Sequence, residues 1–298
     1  MTAPLFSVII ATYNRQELLP RAIDSVLRQT FRDFELIIVD NGSTDNTRMV
    51  ARRENAPHVR YVLNPRPTKS CDAPRNLGIQ MAKGKLVSFL DDDDIWYPDR
   101  LETVKRAFDA YPDVSAICHN ENRNVNGRVE GILRTGPWGD DIYGRLLYEE
   151  NCLSPSGTTV KADVLRSLNG FSLKKEFFSA ADYDLWLRMA GLGHKIHFIR
   201  EPLGESVVTG YNWSIRNPAI SENVAFLVQT HILKHEKRPL MLISKKGMRR
   251  IFQLYAIAGR SYLRTGHLLK ALKCFNKAAV LMIRRPVLLA DLANWFKK

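Results

Sequence analysis

Cysteine is scarce and scattered: Cys71, Cys118, Cys152 and Cys274 are the only four in 298 residues, with no CxxC pair and no histidine grouping beside them. That excludes zinc sites of the usual spacing and a disulfide framework, and it predicts reduced, structural thiols. No run approaches the roughly 18 apolar residues of a membrane-spanning helix. The opening MTAPLFSVIIATYNR lacks the basic segment and small-residue cleavage site of a secretion signal, so the expectation is a cytoplasmic protein. Acids are missing from one region only. Residues 1–233 hold 28 Lys and Arg against 29 Asp and Glu, whereas 234–298 hold 16 against 2, so the net charge of +13 belongs to the carboxyl-terminal part. A basic appendage on a balanced body expects a phosphate-bearing partner, either nucleic acid or an anionic membrane surface. No nucleic-acid motif accompanies the charge, which leaves nucleic acid the less favoured of the two.

What is present is an ordinary globular composition, 45% hydrophobic and 25% charged, long enough for a large core. LFSVIIA, FELIIVD, His58–Leu63 and KLVSFL are short apolar runs separated by segments of helical spacing. That alternation predicts an α/β fold with a mostly parallel sheet and helices on both faces. In such sheets ligands bind at the carboxyl ends of the strands, and Thr12–Arg15, Asp40–Asp45 and Asp91–Asp94 all fall there. After Pro98 the spacing predicts a helix over 100–110, a strand over 114–119, a hairpin or loop over 120–139, a strand at 158–160 and a helix over 180–190. From about Asn217 the pattern is helical throughout, broken near Pro239 and Pro286. The stretch 258–281 loosely resembles one tetratricopeptide helix pair, but no second copy exists to stack on it, so a helical cap is expected.

Asp91, Asp92, Asp93 and Asp94 place four carboxylates within a few ångströms, and their repulsion demands full solvation or a cation. A strand-to-helix turn needs one acid, not four. Because every candidate ligand is a hard oxygen, Mg²⁺ or Mn²⁺ is expected, its shell completed by substrate phosphates and water. Asp40-Asn41-Gly42-Ser43-Thr44-Asp45 reads equally as a turn with a helix cap and as an acceptor for a ribose or base.

Taken together, SVIIATYNR, QTFRDFELIIVDNGSTDNT, PRNLGI, AKGKLVSFLDDDDIWYPDRL, SLNGF and ADYDLWLRM resemble, in order and spacing, the family 2 glycosyltransferases of the GT-A fold, over about residues 5–200. The resemblance implies a nucleotide-sugar donor, with Ala11, Thr12, Tyr13, Asn14, Arg15 and Asp40 lining base and ribose and Arg75 near the nucleotide. Asp91–Asp93 cover the family's metal motif, with Asp93 and Asp91 as metal ligands and Asp92 nearer the ribose. Asp182 matches the general base for the acceptor hydroxyl. Two departures stand out: Ala181 precedes Asp182 where the family has Glu, and Asn41 replaces a common Asp. Read without the family, Ser179 caps a helix and Asp182 is its third-position acid.

The implied domains are a GT-A catalytic domain over 1–216, with a nucleotide-sugar half to about 95 and an acceptor half beyond, and a basic helical extension over 217–298. The expected reaction is a single inverting displacement onto a glycan or lipid-linked glycan acceptor, with a UDP-sugar favoured by family habit. Two other classes compete. A sugar-1-phosphate nucleotidyltransferase predicts a glycine-rich loop after the first strand, and ATYNRQELL has no glycine. A non-enzymatic scaffold would use the basic helices alone. On α-helical spacing Lys270, Lys273, Lys277 and Arg284 share one arc, and RRPVLLADLANWFKK sets apolar residues between basic ends, so the expected place of work is the inner face of an anionic membrane. Trp213, in the polar TGYNWS loop, is a candidate for stacking on a sugar.

Overall fold

The computed structural model describes residues 3–52, 57–136, 138–208 and 217–283. Trp213 and the segment 284–298 lie outside these residues. The chain forms two compact units, one of residues 1–142, 152–173 and 181–209, the other of 143–151, 174–180 and 210–298.

The first unit is built on β1 (Phe6–Thr12), β2 (Phe34–Asp40), β3 (Val59–Leu63), β4 (Leu86–Asp91), β5 (Ile95–Trp96), β6 (Ala116–Val125), β7 (Arg128–Leu133), β8 (Thr158–Lys161) and β9 (Ile196–Val208). They hydrogen-bond in the order β3-β2-β1-β4-β8-β6-β9-β5, with β7 added to β6. β1 to β4 are mutually parallel, whereas β8 runs antiparallel to both β4 and β6, giving the mixed sheet expected of the family. β1 and β2 are continuous β-branched runs because both their faces are covered. Beside them, α1 (Leu19–Leu27) buries Leu19, Ala22, Ile23 and Val26, one helical face, against Phe6, Val8, Ile10 and Ile38.

Register places the site. Thr12 pairs with Asp40 and Ala11 with Asp91, so the last residues of three parallel strands end side by side. On the far side of these strands α3 (Asp72–Met81) comes close enough that a Cβ at Gly78 would stand 2.6 Å from Ile9 Cγ2.

The strand expected at 114–119 continues to Val125 and turns into β7. Asn126 and Gly127 both have positive φ, 51° and 86°, the two-residue turn that Asn-Gly favours. The hydrophobic pattern ends at His119 because polar side chains hold the rest: Asn120 Nδ2 donates to the Arg200 carbonyl at 2.6 Å, and Asn124 Nδ2 to Glu205 Oε2 at 2.6 Å.

The helix expected over 180–190 is α7 (Ala181–Gly191), which buries Leu185, Trp186 and Met189. The intervening helices are α2 (Thr47–Ala51), α4 (Arg100–Ala110), α5 (Ile142–Tyr148) and α6 (Ala162–Ser167). The second unit contains α8 (Ala219–Glu236), α9 (Lys245–Arg264) and α10 (Leu268–Ile283). Glu236 binds the Ser244 amide at 2.5 Å, and Ser244 Oγ accepts from the Gly247 amide, which starts α9 with a capped first turn. Among the described residues no helix is long and apolar enough to cross a membrane.

Gly84 tests this packing. A Cβ there would lie 2.6 Å from the Ser7 amide nitrogen and 2.7 Å from the Phe6 carbonyl carbon, atoms of a central strand that cannot step aside. Gly84→Ala should lower unfolding free energy by about 1–3 kcal/mol in a urea melt, the range of overpacked cores. An unchanged midpoint would show the strand to be more yielding than its neighbours allow.

Candidate functional site

The loop after β1 is fastened to the loop after β2. Asn14 takes a left-handed φ of 52°, which turns its amide onto Ser43 Oγ at 2.9 Å while its Oδ1 accepts from the Thr44 amide at 2.8 Å. The Arg15 amide donates to Thr47 Oγ1 at 2.7 Å, and the Asn41 amide to the Thr12 carbonyl at 2.9 Å. Ala11 to Arg15 therefore form one rim with the 40–47 segment, and Tyr13 stands exposed on it. Asp40, at the end of β2, is only 1% exposed. Its Oδ1 accepts from the Ser43 amide at 2.8 Å and its Oδ2 from the Tyr61 hydroxyl at 2.7 Å. Burial and that hydrogen bond raise Tyr61 to about 12, so it remains a donor.

Asn41 does work that an aspartate could not. Its amide nitrogen donates to the Thr68 carbonyl at 2.7 Å and to that of Ser70 at 3.3 Å, while Oδ1 accepts from Asn64 Nδ2 and the Thr68 amide. It thereby carries the 64–70 loop that leads into α3.

The four successive acids separate. Asp94 is turned inward, where Ser156 Oγ donates to its Oδ2 at 2.5 Å and the Val207 amide to its Oδ1 at 2.8 Å. Burial, with Glu121, Asp91 and Asp93 adding to it, holds Asp94 well above the carboxylate range. Asp91, Asp92 and Asp93 are half-buried at the rim. Asp91 pairs with Arg75 Nη2, and its own amide donates to Ser156 Oγ at 3.1 Å. Asp92 accepts from Arg15 Nε at 3.3 Å; burial pushes it up to about 6, and Arg15 pulls it back. Burial, then the charges of Asp91 and Asp92, pushes Asp93 up to about 7.

Such crowding is what a bound cation relieves, and the oxygen donors of Asp91 and Asp93 suit Mg²⁺ or Mn²⁺. Among the described residues no three His, Cys, Asp or Glu side chains converge as a complete ligand set. A cation held by so few side chains would need further oxygen ligands from water or a bound molecule, as magnesium sites commonly do.

Arg75 joins the parts. It lies on the first turn of α3, reaching Asp91 on one side and Asp72 at 3.8 Å on the other, with Phe171 packed 5.4 Å from the guanidinium carbon. Burial opposes its charge, and Cys71, Asp91, Asp72 and Asp182 together outweigh burial, so Arg75 stays firmly protonated. Asp182, second residue of α7 and half-buried, is pushed up to about 6 by burial, with Arg75 pulling the other way. Ser179, the expected cap, has a φ of +60°, and the helix begins two residues later at Ala181.

Asp72 and Ser156 were not visible as site residues. Asp72 looks like an ordinary first-turn acid, yet it is buried, accepts from Ser70 Oγ and braces Arg75. Ser156 belongs to a polar loop whose place beside the acids is set by β8 pairing with β4, which no local pattern reveals. Deeper lies a core network: Arg100 Nε donates to His119 Nε2 at 3.2 Å and Nη1 to Ser88 Oγ at 2.9 Å, with the guanidinium 3.8 Å from the Trp96 ring. Burial and the Arg100 charge drive His119 down to about 3, so it is neutral, a structural histidine.

The profile described as Glycosyl transferase family 2 matches residues 7–168, more than half of the chain. Chondroitin synthase of Escherichia coli is 29% identical over 226 residues, which are 76% of this chain and 32% of that protein, so the chain spans about a third of that relative's length. UDP-Glc:alpha-D-GlcNAc-diphosphoundecaprenol beta-1,3-glucosyltransferase WfgD of Escherichia coli is 31% identical over 189 residues, covering 61% of this chain and 68% of its own. Among solved structures, S. aureus TarS 1–349 in complex with UDP-GlcNAc superposes with a TM-score of 0.62 at 19% identity, covering 93% of this chain and 91% of that one, a likeness of fold.

Asn41→Asp, although it installs the residue common in the family, should destabilise the chain by about 1–3 kcal/mol, because the partly buried bonds to the Thr68 and Ser70 carbonyls lose their donor and a second carboxylate arrives beside the buried Asp40. A thermal melt equal to that of the parent would refute the assignment of the Asn41 amide.

Proposed function

We propose, from the premise that this chain belongs to glycosyl transferase family 2, that it moves a sugar from a nucleoside-diphosphate donor to an acceptor hydroxyl with inversion at the anomeric carbon. Membership sets aside the nucleotidyltransferase and scaffold alternatives. The observation that carries the mechanism is the meeting, beyond the carboxyl ends of β1, β2 and β4, of the Asp91–Asp93 carboxylates with Arg15 and Arg75, which pair with Asp92 and Asp91, and of Asp182, on which the Arg75 charge also acts.

The rim of Ala11, Thr12, Tyr13, Asn14 and Arg15, with Asp40 behind it and Asp92 held by Arg15, would receive base and ribose. Asp93 and Asp91 would hold Mn²⁺ or Mg²⁺, which when bound supplies positive charge to the departing diphosphate. Arg75, kept protonated by its acidic neighbours, adds a second positive charge on the same side. Asp182 accepts the acceptor's proton as the acceptor oxygen bonds to the anomeric carbon and the nucleoside diphosphate leaves, and no covalent sugar intermediate is required because that oxygen makes the one displacement itself. A UDP-sugar donor and a lipid-linked glycan acceptor are favoured by the likeness to WfgD, a UDP-Glc-dependent glucosyltransferase acting on a diphosphoundecaprenol-linked sugar, and a polysaccharide acceptor by the likeness to chondroitin synthase.

Asp182→Asn should cut kcat by about 10²–10⁴-fold while nucleotide sugars with Mn²⁺ still raise the melting temperature, since the base acts after binding. Equal activity in the variant would remove Asp182 from the mechanism. Because Asp182 must be ionised to take a proton and burial sets it near 6, kcat/KM should fall about tenfold per unit as pH drops below about 6. A profile flat to pH 5 would contradict this role.

A further inference from the structure

Within the described part of the basic arc expected on α10, Lys270, Lys273 and Lys277 are all exposed, and two of them also touch neighbouring side chains. Lys277 Nζ binds Glu222 Oε1 at 3.0 Å and lies 4.9 Å from the Tyr255 ring centroid, and Lys270 Nζ lies 5.5 Å from that of Tyr262.

A different surface is presented. α9 and α10 meet through small residues: Ala258, Ala271 and Cys274 are fully buried with Tyr262, and a Cβ on Gly259 would stand 2.6 Å from the Phe275 ring. Farther back α9 buries Met248, Ile251, Phe252, Leu254 and Tyr255, but the leucines around the α9–α10 turn are left outside. Leu263 is 47% exposed, Leu268 60%, Leu269 78% and Leu272 56%, all gathered about the turn at Gly266, whose φ is +78°. At about 100° per residue, Leu268, Leu269 and Leu272 span one arc of roughly 100° on α10, and Lys273 follows directly on its edge. Arg264, His267, Lys270 and Lys273 alternate with these leucines. The chain from Lys237 to Ala290 carries 13 Lys and Arg and no Asp or Glu at all.

Four leucines uncovered at one turn depart from the usual helical hairpin in water, where the bulky apolar residues are covered as they are elsewhere on α9. A soluble partner of ordinary interface composition would not require 13 cations without one acid. Both features suit a headgroup layer of negative charge over an acyl boundary. The geometry points to the α9–α10 turn as a membrane-docking tip: Leu263, Leu268, Leu269 and Leu272 enter the interface of an anionic bilayer while the adjoining Lys and Arg contact lipid phosphates. The helices lie at the surface and do not span. This surface is separate from the transfer chemistry and does not rest on it.

The test is flotation of the 298-residue chain with phosphatidylcholine vesicles and with vesicles containing about 30% phosphatidylglycerol, at low and high salt. The chain should float with the anionic vesicles at low salt and remain in solution with the neutral ones. Leu268→Ser/Leu269→Ser/Leu272→Ser, three exposed positions, should reduce partitioning at least tenfold with an unchanged circular dichroism spectrum. Lys270→Ser/Lys273→Ser should weaken binding to anionic vesicles and reduce its salt dependence.

Equal partitioning of the leucine variant would overturn the inference, as would equal binding to neutral vesicles. So would a leucine variant that dissociates a dimer in sedimentation velocity yet still floats, since the leucines would then face a second copy. Transfer to a water-soluble acceptor should be the same in parent and variants. Its absence from the parent would count against the transferase mechanism and leave the docking result standing.

Discussion

Negative charge concentrated at one end of a parallel sheet is the constraint on which the site depends. Four consecutive carboxylates at the tip of β4, together with Asp40 at the tip of the strand beyond β1, repel one another across a few ångströms, and the fold meets them with different partners. Asp94 is taken into the interior by Ser156 and the Val207 amide, Asp92 is held by Arg15, Asp91 by Arg75, and Asp40 by Tyr61 and the Ser43 amide. Asp93, raised by burial and by its neighbours, shows how much negative charge the cluster still carries. The same arrangement that must be stabilised in the folded chain is the one on which the proposed cation site rests.

Arg75 gives this arrangement its unity. One guanidinium, with Phe171 beside it and braced by Asp72, carries a charge that acts on Asp91 at the end of β4 and on Asp182 at the start of α7. Its fixed planar fork is the reason a lysine would not serve in the same place. The burial that raises Asp182 and the positive charge that restrains it together leave a carboxylate basic enough to accept a proton while still ionised near neutrality.

The parts of the site legible in sequence are those carried by strand ends. Once β1, β2 and β4 are read as parallel neighbours, Thr12, Asp40 and Asp91 must lie together, because register follows from the buried apolar runs. Asp72 and Ser156 were not legible, since each reaches the site through contacts far along the chain and each has an ordinary local reading as a helix acid or a loop serine. Asn41 was legible only as a hydrogen-bonding substitute for Asp; that it must donate twice depends on where the 64–70 loop returns. The polar half of β6 was hidden for a related reason, its strand being held by asparagine side chains and not by alternation of apolar residues.

By itself the sequence determined the α/β class, the helical character of the carboxyl-terminal part, the family and the strand-end acids, because periodicity and local charge are properties of neighbouring residues. Only the tertiary structure decided how the four aspartates divide their roles, which arginine links the two halves of the site, and which face of the basic helices remains outward. Each of those depends on what lies opposite a side chain across the fold. Lys277 turned toward Glu222 and Leu269 turned toward solvent have the same helical spacing as any other pair, and packing alone tells them apart.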